Sequence, residues 1–341
     1  MTSTVELSRV LSLHKNIVNA PSIHLRAGKG FMRLVSAAPS GATLMTKIPS
    51  SDEYKSICVD QNVFSVLAKG NGDLSITLDG AKVLVKGNRF KAELPGVFEN
   101  PPEVTKLESG QISDADSNWL KDVIPSVALP DLDQSGKFSA ECSDGEWKIS
   151  CIDMAHGACV FGKGKSRCAF SLLPSDALKV KGILEVIDKG EGHFGVVEST
   201  LIITSANYSA TFPTIDGEVQ PREEVENDNT KLGSFSAKDF KECLKKVAPF
   251  LQDKEAPPLQ LIFTGDRLVV KTSSSAGNFS QAIDAKVATQ MKVNLSYKLL
   301  SHLVAGMGDE RVSTSVVLEG ADPTRINFKT GDIYYLMLTS A

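Results

Sequence analysis

The sequence predicts an α+β fold made of three repeated domains, residues 1–112, 113–230 and 231–341. Three observations predict it. The order helix, strands, helix, strands recurs three times at offsets of about 110–120 residues. Strand-like text alternates apolar and polar residues around short turns, as antiparallel hairpins do. Two stretches rich in Pro, acid and Asn, "FENPPEVTKLESGQ" (98–111) and "IDGEVQPREEVENDNTKLG" (215–233), read as linkers at the joints.

The first repeat opens with an amphipathic helix over 7–19, followed by a hairpin over 22–37, a second helix over 60–70 and a closing hairpin over 74–96. In the second repeat the helices fall at 116–129 and 174–190, with strand pairs at 136–153 and 193–214. The third places helices at 236–251 and 294–308 and strands at 259–274 and 314–338. Gly70, Gly190 and Gly308 stand where the second helix of each repeat should stop. Each repeat thus holds two helices and six to eight strands, and the economical packing sets both helices on one face of antiparallel sheet. The helix faces left uncovered then share one side.

The helix at 236–251 shows what those faces carry. Phe240, Leu244 and Val247 fall on one side at i, i+4, i+7, whereas Lys238, Lys241 and Lys245 fall on another. Equivalent positions hold Arg9, Lys15 and Lys69 in the first repeat, Lys121, Lys179, Lys181 and Lys189 in the second, and Lys246 and Lys298 in the third. Asp122, Glu185 and Glu242 dilute the bias. A charge run is also what an ordinary solvated face looks like. Spaced lysines with few aromatics suit phosphates and not bases, since a lysine is a flexible point charge and stacking platforms are missing. Non-specific contact with duplex DNA is the functional reading.

Bulk properties narrow the field. The 341-residue chain has net charge −4, which excludes a uniformly basic nucleic-acid binder. The charge is uneven: net +3 over 1–112, −10 over 113–229 and +3 over 230–341. The sequence shows no apolar run approaching the roughly 18 residues of a membrane span. "MTSTVELSRVLSL" does not read as a secretory signal, and an intracellular, cytoplasmic location is expected. Cys142, Cys151, Cys159 and Cys168 lie in strand-like text and read as small buried thiols; Cys58 and Cys243 are isolated, and no metal or cofactor is expected.

Two motif-like stretches carry nothing further. "GKGKS" (162–166) has Cys159 where a phosphate loop needs its first glycine, and strand-like text follows it. "DLDQSGKFSAE" (131–141) approaches a calcium loop, but Glu141 arrives one residue early and Cys142 takes the bidentate position. The five histidines form no paired motif, and no acid, base and nucleophile assemble; an enzyme is not expected.

The threefold order, the stretch "FSVLAKGNGDLSITLDGAKVLVKGNRFKAELPG" and the ending "MKVNLSYKLLSHLVAGMGDERVSTSVVLEGADPTRINFKTGDIYYLML" resemble the bacterial-type β sliding clamp, the processivity factor of replicative DNA polymerases. The resemblance spans nearly the whole chain and is strongest over 60–96 and 286–338. It implies the DNA clamp fold and a head-to-tail homodimer closed as a ring around duplex DNA, with the helices inside. The partners it implies are the replicative polymerase and a clamp loader, with no membrane. It places Phe90 and Ala92, with Phe250 and Leu251, at the subunit interface. It places Met154, His156, Pro213, Leu336, Met337 and Leu338 at a pocket for partner peptides; Met and Leu at such positions are equally core-like. The competing readings are a clamp-fold subunit of another ring stoichiometry, a scaffold for protein partners with merely solvated lysines, and a hydrolase.

Overall fold

The structure, a computed structural model, describes residues 2–69, 73–105, 107, 109–128, 136–153, 156–187, 192–227, 229–251, 258–308 and 310–339. Along the first 112 residues the elements are β1 (Thr2–Ser3), α1 (Thr4–Ile17), β2 (Ser22–Gly28), β3 (Phe31–Ala37), β4 (Thr43–Pro49), β5 (Tyr54–Asp60), α2 (Gln61–Leu67), β6 (Asp73–Asp79), β7 (Lys82–Gly87) and β8 (Phe90–Pro95). Then come α3 (Asp114–Val127), β9 (Lys137–Ser143), β10 (Glu146–Ile152), β11 (His156–Lys163), β12 (Cys168–Leu172), α4 (Pro174–Leu184), β13 (His193–Val197), β14 (Thr200–Thr204) and β15 (Tyr208–Pro213). The last part holds α5 (Arg222–Glu226), β16 (Asn229–Ser236), α6 (Ala237–Val247), β17 (Leu259–Thr264), β18 (Arg267–Ser274), β19 (Gly277–Val287), β20 (Met291–Leu295), α7 (Tyr297–Gly306), β21 (Arg311–Glu319), β22 (Asp322–Thr330) and β23 (Ile333–Leu338). The fold class is α+β, and the named strand pairings among the described residues are antiparallel.

The chain divides into two compact units. One comprises Met1–Lys121 and Leu178–Ile215, the other Asp122–Ala177 and Asp216–Ala341. The first unit contains a four-stranded sheet in the order β1-β6-β7-β8 and a seven-stranded sheet in the order β13-β14-β15-β4-β3-β2-β5. The second contains a twelve-stranded sheet in the order β12-β9-β10-β11-β23-β22-β21-β16-β19-β18-β17-β20. The middle stretch of sequence therefore feeds both units: β13–β15 join the seven-stranded sheet through β15–β4, and β9–β12 join the twelve-stranded sheet through β11–β23.

Each of the six helices expected from periodicity forms. Local chemistry explains the starts: the Asp60 side chain accepts from the Val63 N–H at 2.8 Å, and Ser236 accepts from the Asp239 N–H at 3.3 Å. The hairpins β2–β3 and β9–β10 turn through Lys29–Gly30 and Asp144–Gly145, all at positive φ, the backbone that matches strand twist. α6 buries Phe240, Leu244 and Val247, the face its spacing assigns, and adds Cys243. Pro249 has no N–H to continue the ladder, and Ala248–Leu251 tightens into a 3-10 turn.

Three expectations change. Met307 caps α7 in extended conformation (φ −69, ψ 139), so that helix does not stop in a left-handed glycine turn at Gly308; Gly70 and Gly190 lie outside the described residues. The second presumed linker holds α5 and the start of β16, because Val225 is buried and Arg222 grips Glu226 at 2.9 Å and Glu146 at 2.7 Å. The strands of the first repeat form two sheets and not one, with α1 and α2 sharing the core between them: Leu7 and Val10 of α1 and Phe64 of α2 cluster with Leu25, Leu34, Ile76 and Val85. The four cysteines of 142–168 do lie on successive strands β9–β12, all unbridged, with Cys168 only half-buried. A strand, β12, follows "GKGKS", and β9 follows the calcium-like residues, of which 131–135 lie outside the described residues.

Two residues anchor the helices to the sheets. Phe240 of α6 is fully buried, with ring centroids 4.9 Å from Phe235 and 6.2 Å from Phe328. His14 of α1 is fully buried; its Nε2 meets Thr46 Oγ1 at 3.0 Å and its Nδ1 meets the Ser36 hydroxyl. Burial holds the His14 pKa at about 3 against an ordinary 6.5.

Phe240→Ala is expected to destabilise the protein by about 3–5 kcal/mol in chemical denaturation, through lost burial plus a cavity. For His14 the sign follows from linkage: between pH 6.5 and about 3 the unfolded chain takes up a proton that the folded chain refuses, so stability falls as pH falls through that window. The slope is at most about 1.4 kcal/mol per pH unit for one group. His14→Gln is expected to lose stability at pH 7 and to close the gap on the wild type as pH drops toward 4, measured by urea unfolding along a pH series.

Candidate nucleic-acid interface

On α1 the apolar residues Leu7, Val10, Leu11 and Ile17 are buried, which turns Arg9 and Lys15 to solvent. The Arg9 guanidinium donates to the Tyr208 hydroxyl at 3.2 Å. Lys69, just beyond α2, is exposed. Lys121 on α3 and Lys179 and Lys181 on α4 are half-buried, and Lys181 pairs with Glu185 one turn on at 2.9 Å. Lys189 lies outside the described residues.

In the second unit, Lys238, Lys245 and Lys246 of α6 and Lys298 of α7 are exposed. Lys241 differs. Its ammonium donates to the Met307 carbonyl at 2.6 Å, satisfying an orphan acceptor at the end of α7. The same two helices meet again where the Tyr297 hydroxyl donates to the Leu244 carbonyl at 3.4 Å. Lys241 is thus a tie between α6 and α7, and the freely exposed set on these helices is Lys238, Lys245, Lys246 and Lys298. Lys245 and Lys246 sit in the last turn of α6, where cations also favour the helix dipole.

Sheet register reveals a second basic feature that sequence reading missed. Arg26 of β2 lies opposite Arg33 of β3, and Arg33 lies opposite Lys47 of β4. Like charges directly opposite one another in a sheet are unfavourable unless something absorbs the repulsion. Phe31 does part of that: its ring takes the Arg33 guanidinium at 5.2 Å and the Lys47 ammonium at 5.8 Å. Only the strand pairing brings these residues together, so no window of sequence contains the signal.

The expected interface residues lie in separate units. Phe90, 40% exposed, and half-buried Ala92 sit on β8, an edge of the four-stranded sheet. Phe250 is half-buried against Phe279, centroids 5.5 Å apart, and Leu251 is buried. Of the expected pocket residues, His156, Leu336 and Met337 come together: β11 pairs His156 with Met337 and Gly157 with Leu336. His156 is buried, its N–H and ring bonded to Asp153, and its Nε2 has no partner. Leu336 packs with Phe161, Val225 and Tyr334 as core, and Met337 is buried, whereas Leu338 is 48% exposed. Pro213 is half-buried on β15 in the other unit, and Met154 lies outside the described residues.

No family model matches the sequence, and no curated protein matches it either. The fold does match solved structures along the entire chain. It is similar to the DNA polymerase III beta subunit of Thermotoga maritima, at 12% identity and TM-score 0.85, covering 100% of this chain and 98% of that one. Similar too are the DNA polymerase sliding clamps of Bacillus subtilis (13% identity, TM-score 0.83, 100% and 98% covered) and Pseudomonas aeruginosa (14%, 0.82, 99% and 98%). What is shared at these identities is the fold: this chain has the α+β clamp fold of bacterial sliding clamps.

Proposed function

We propose that this chain is a DNA sliding clamp, a processivity factor that works by topology and not by catalysis. Two copies join head to tail through β8 and the Phe250–Leu251 turn, closing six domains (1–112, 113–230 and 231–341 in each) around duplex DNA in the cytoplasm. A replicative polymerase is then held on its template, and a loader opens and closes the ring. Full-length agreement with the clamp fold is the observation that carries this reading.

The helix cations support it. Exposed lysines meet phosphates without reading bases, and a protein that must slide needs contacts that are numerous, weak and indifferent to sequence. Arg9, Lys15, Lys238, Lys245 and Lys298 are exposed and fit that role. Lys241 contributes through the position of α6 against α7. Leu338, at the surface beside the buried His156–Met337 pair, is among the described pocket positions the one most open to a partner peptide.

Retention on nicked circular DNA after loading is expected to survive salt that abolishes direct binding, and linearising the circle should release the protein; equal retention on linear and circular templates would refute the proposal. The triple variant Lys238→Glu, Lys245→Glu, Lys298→Glu is expected to lower loading at least tenfold, about 1.4 kcal/mol or more. Its unfolding free energy should stay within about 0.5 kcal/mol per site of the wild type, because exposed positions contribute little to stability.

A further inference from the structure

The chain that leaves β8 crosses the seven-stranded sheet from one edge to the other. Val97 bridges to Cys58 on edge strand β5 in both directions, N–H to carbonyl at 2.8 and 3.0 Å. Pro101, Pro102 and Val104 then close over His24, Val35 and Met45, bounding a cavity of about 150 Å³. The Thr105 carbonyl accepts from the Ser209 hydroxyl of β15 at 3.2 Å. At the far edge the Gln111 and Ile112 N–H groups reach the Phe194 carbonyl of β13 at 3.0 and 2.9 Å. The described residues of 96–112 are a strap over the sheet face that α1 and α2 do not occupy, since Ile23 and Leu25 face the core while His24 and Arg26 alternate away from it.

Where the strap begins, three metal-ligating side chains converge. His24 on β2 lies directly opposite Cys58 on β5, and Glu99 stands two residues beyond the Val97 bridge, on the same side. A ligand atom from each of the three lies within 4.8 Å of the other two. His24 is 9% exposed, and its Nδ1 is buried with no hydrogen-bond partner. A buried ring nitrogen without a hydrogen-bond partner is available as a ligand atom, and here it stands beside a thiol and a carboxylate.

We propose that His24, Cys58 and Glu99 form a divalent-metal site, of the kind zinc fills, which clips the strap to the sheet edge. Thiolate, imidazole and carboxylate together are a zinc-type set, and three protein ligands leave a fourth tetrahedral position for water. Bonds of about 2.0–2.3 Å put tetrahedral ligands roughly 3.3–3.8 Å apart, a small side-chain adjustment from the present spread. Binding is metal-for-proton exchange: the Cys58 thiol releases its proton as the sulfur–metal bond forms. Magnesium and calcium, which want oxygen ligands, are disfavoured. The exposed Glu99 makes the site openable from solvent. The site is independent of the helix cations and of the clamp reading.

The test uses the full chain after dialysis against EDTA, with Co²⁺ as the spectroscopic probe and Zn²⁺ as competitor. One equivalent of Co²⁺ is expected to give a thiolate-to-cobalt charge-transfer band that Zn²⁺ displaces, and Zn²⁺ should raise the melting temperature and slow proteolysis within 96–112. Cys58→Ser should abolish the band, and Glu99→Gln, at an exposed position, should weaken binding about tenfold with an unchanged circular dichroism spectrum. Cys168→Ser should leave the band intact. Absence of the band in the wild type, its survival in Cys58→Ser, or its loss in Cys168→Ser would overturn the assignment.

Discussion

Every antiparallel sheet has two edges whose backbone groups need partners, and satisfying those edges organises this molecule. β4 and β15 pair although more than 160 residues separate them, with Thr43 and Thr211 hydroxyls bonded across the joint at 2.6 Å. β11 and β23 do the same in the twelve-stranded sheet. Each pairing turns two hazardous edges into sheet interior. The seven-stranded sheet still ends at β5 and β13, and one segment serves both: Val97 bonds to β5, while Gln111 and Ile112 bond to β13. The strap is therefore an edge device before it is a linker, and a metal at Cys58 would reinforce the end where it holds by a single bridge.

Elements were legible where physics is local. α6 could be read outright, because its apolar and lysine positions keep a helical period and Ser236 caps it. The paired turn residues Lys29–Gly30 and Asp144–Gly145 announced their hairpins in the same way. β4 is not legible as a strand, since its burial runs nearly unbroken and leaves no alternation to detect. α5, five residues long, is shorter than any window in which periodicity can show. The metal-ligating trio spans residues 24 to 99, and the Arg26–Arg33–Lys47 row spans three strands; both exist only once register is set. Lys241 looked like its neighbours in sequence, and a carbonyl at the end of another helix decided its place.

The edges that remain unpaired are informative in turn. β8 bonds to β7 on one side, and among the described residues it carries exposed Phe90 beside a charged trio in which Glu93 meets Lys82 at 3.4 Å and Lys91 at 3.5 Å. The two lysines hold the Glu93 carboxyl below its usual pKa range, but at full exposure such pairs are screened and add little stability. Their effect is selective. Charges on an edge discourage indiscriminate strand pairing, while one aromatic leaves apolar area for a defined partner. Under the proposed function that partner is a second copy of the chain.

Charge placement leads to the same economy. Two helix cations are already engaged inside the chain: Lys181 with the Glu185 carboxylate and Lys241 with the Met307 carbonyl. Under the proposed function, each cation held in this way is one fewer phosphate contact, so direct affinity and its salt dependence both weaken. For a protein held on DNA by attraction this would be a defect. For one held by enclosure it is a requirement, because contacts strong enough to retain the ring unaided would also stop it from sliding. A net charge of −4 in the whole chain, with cations left exposed on particular helix faces, is compatible with enclosure under the proposed function.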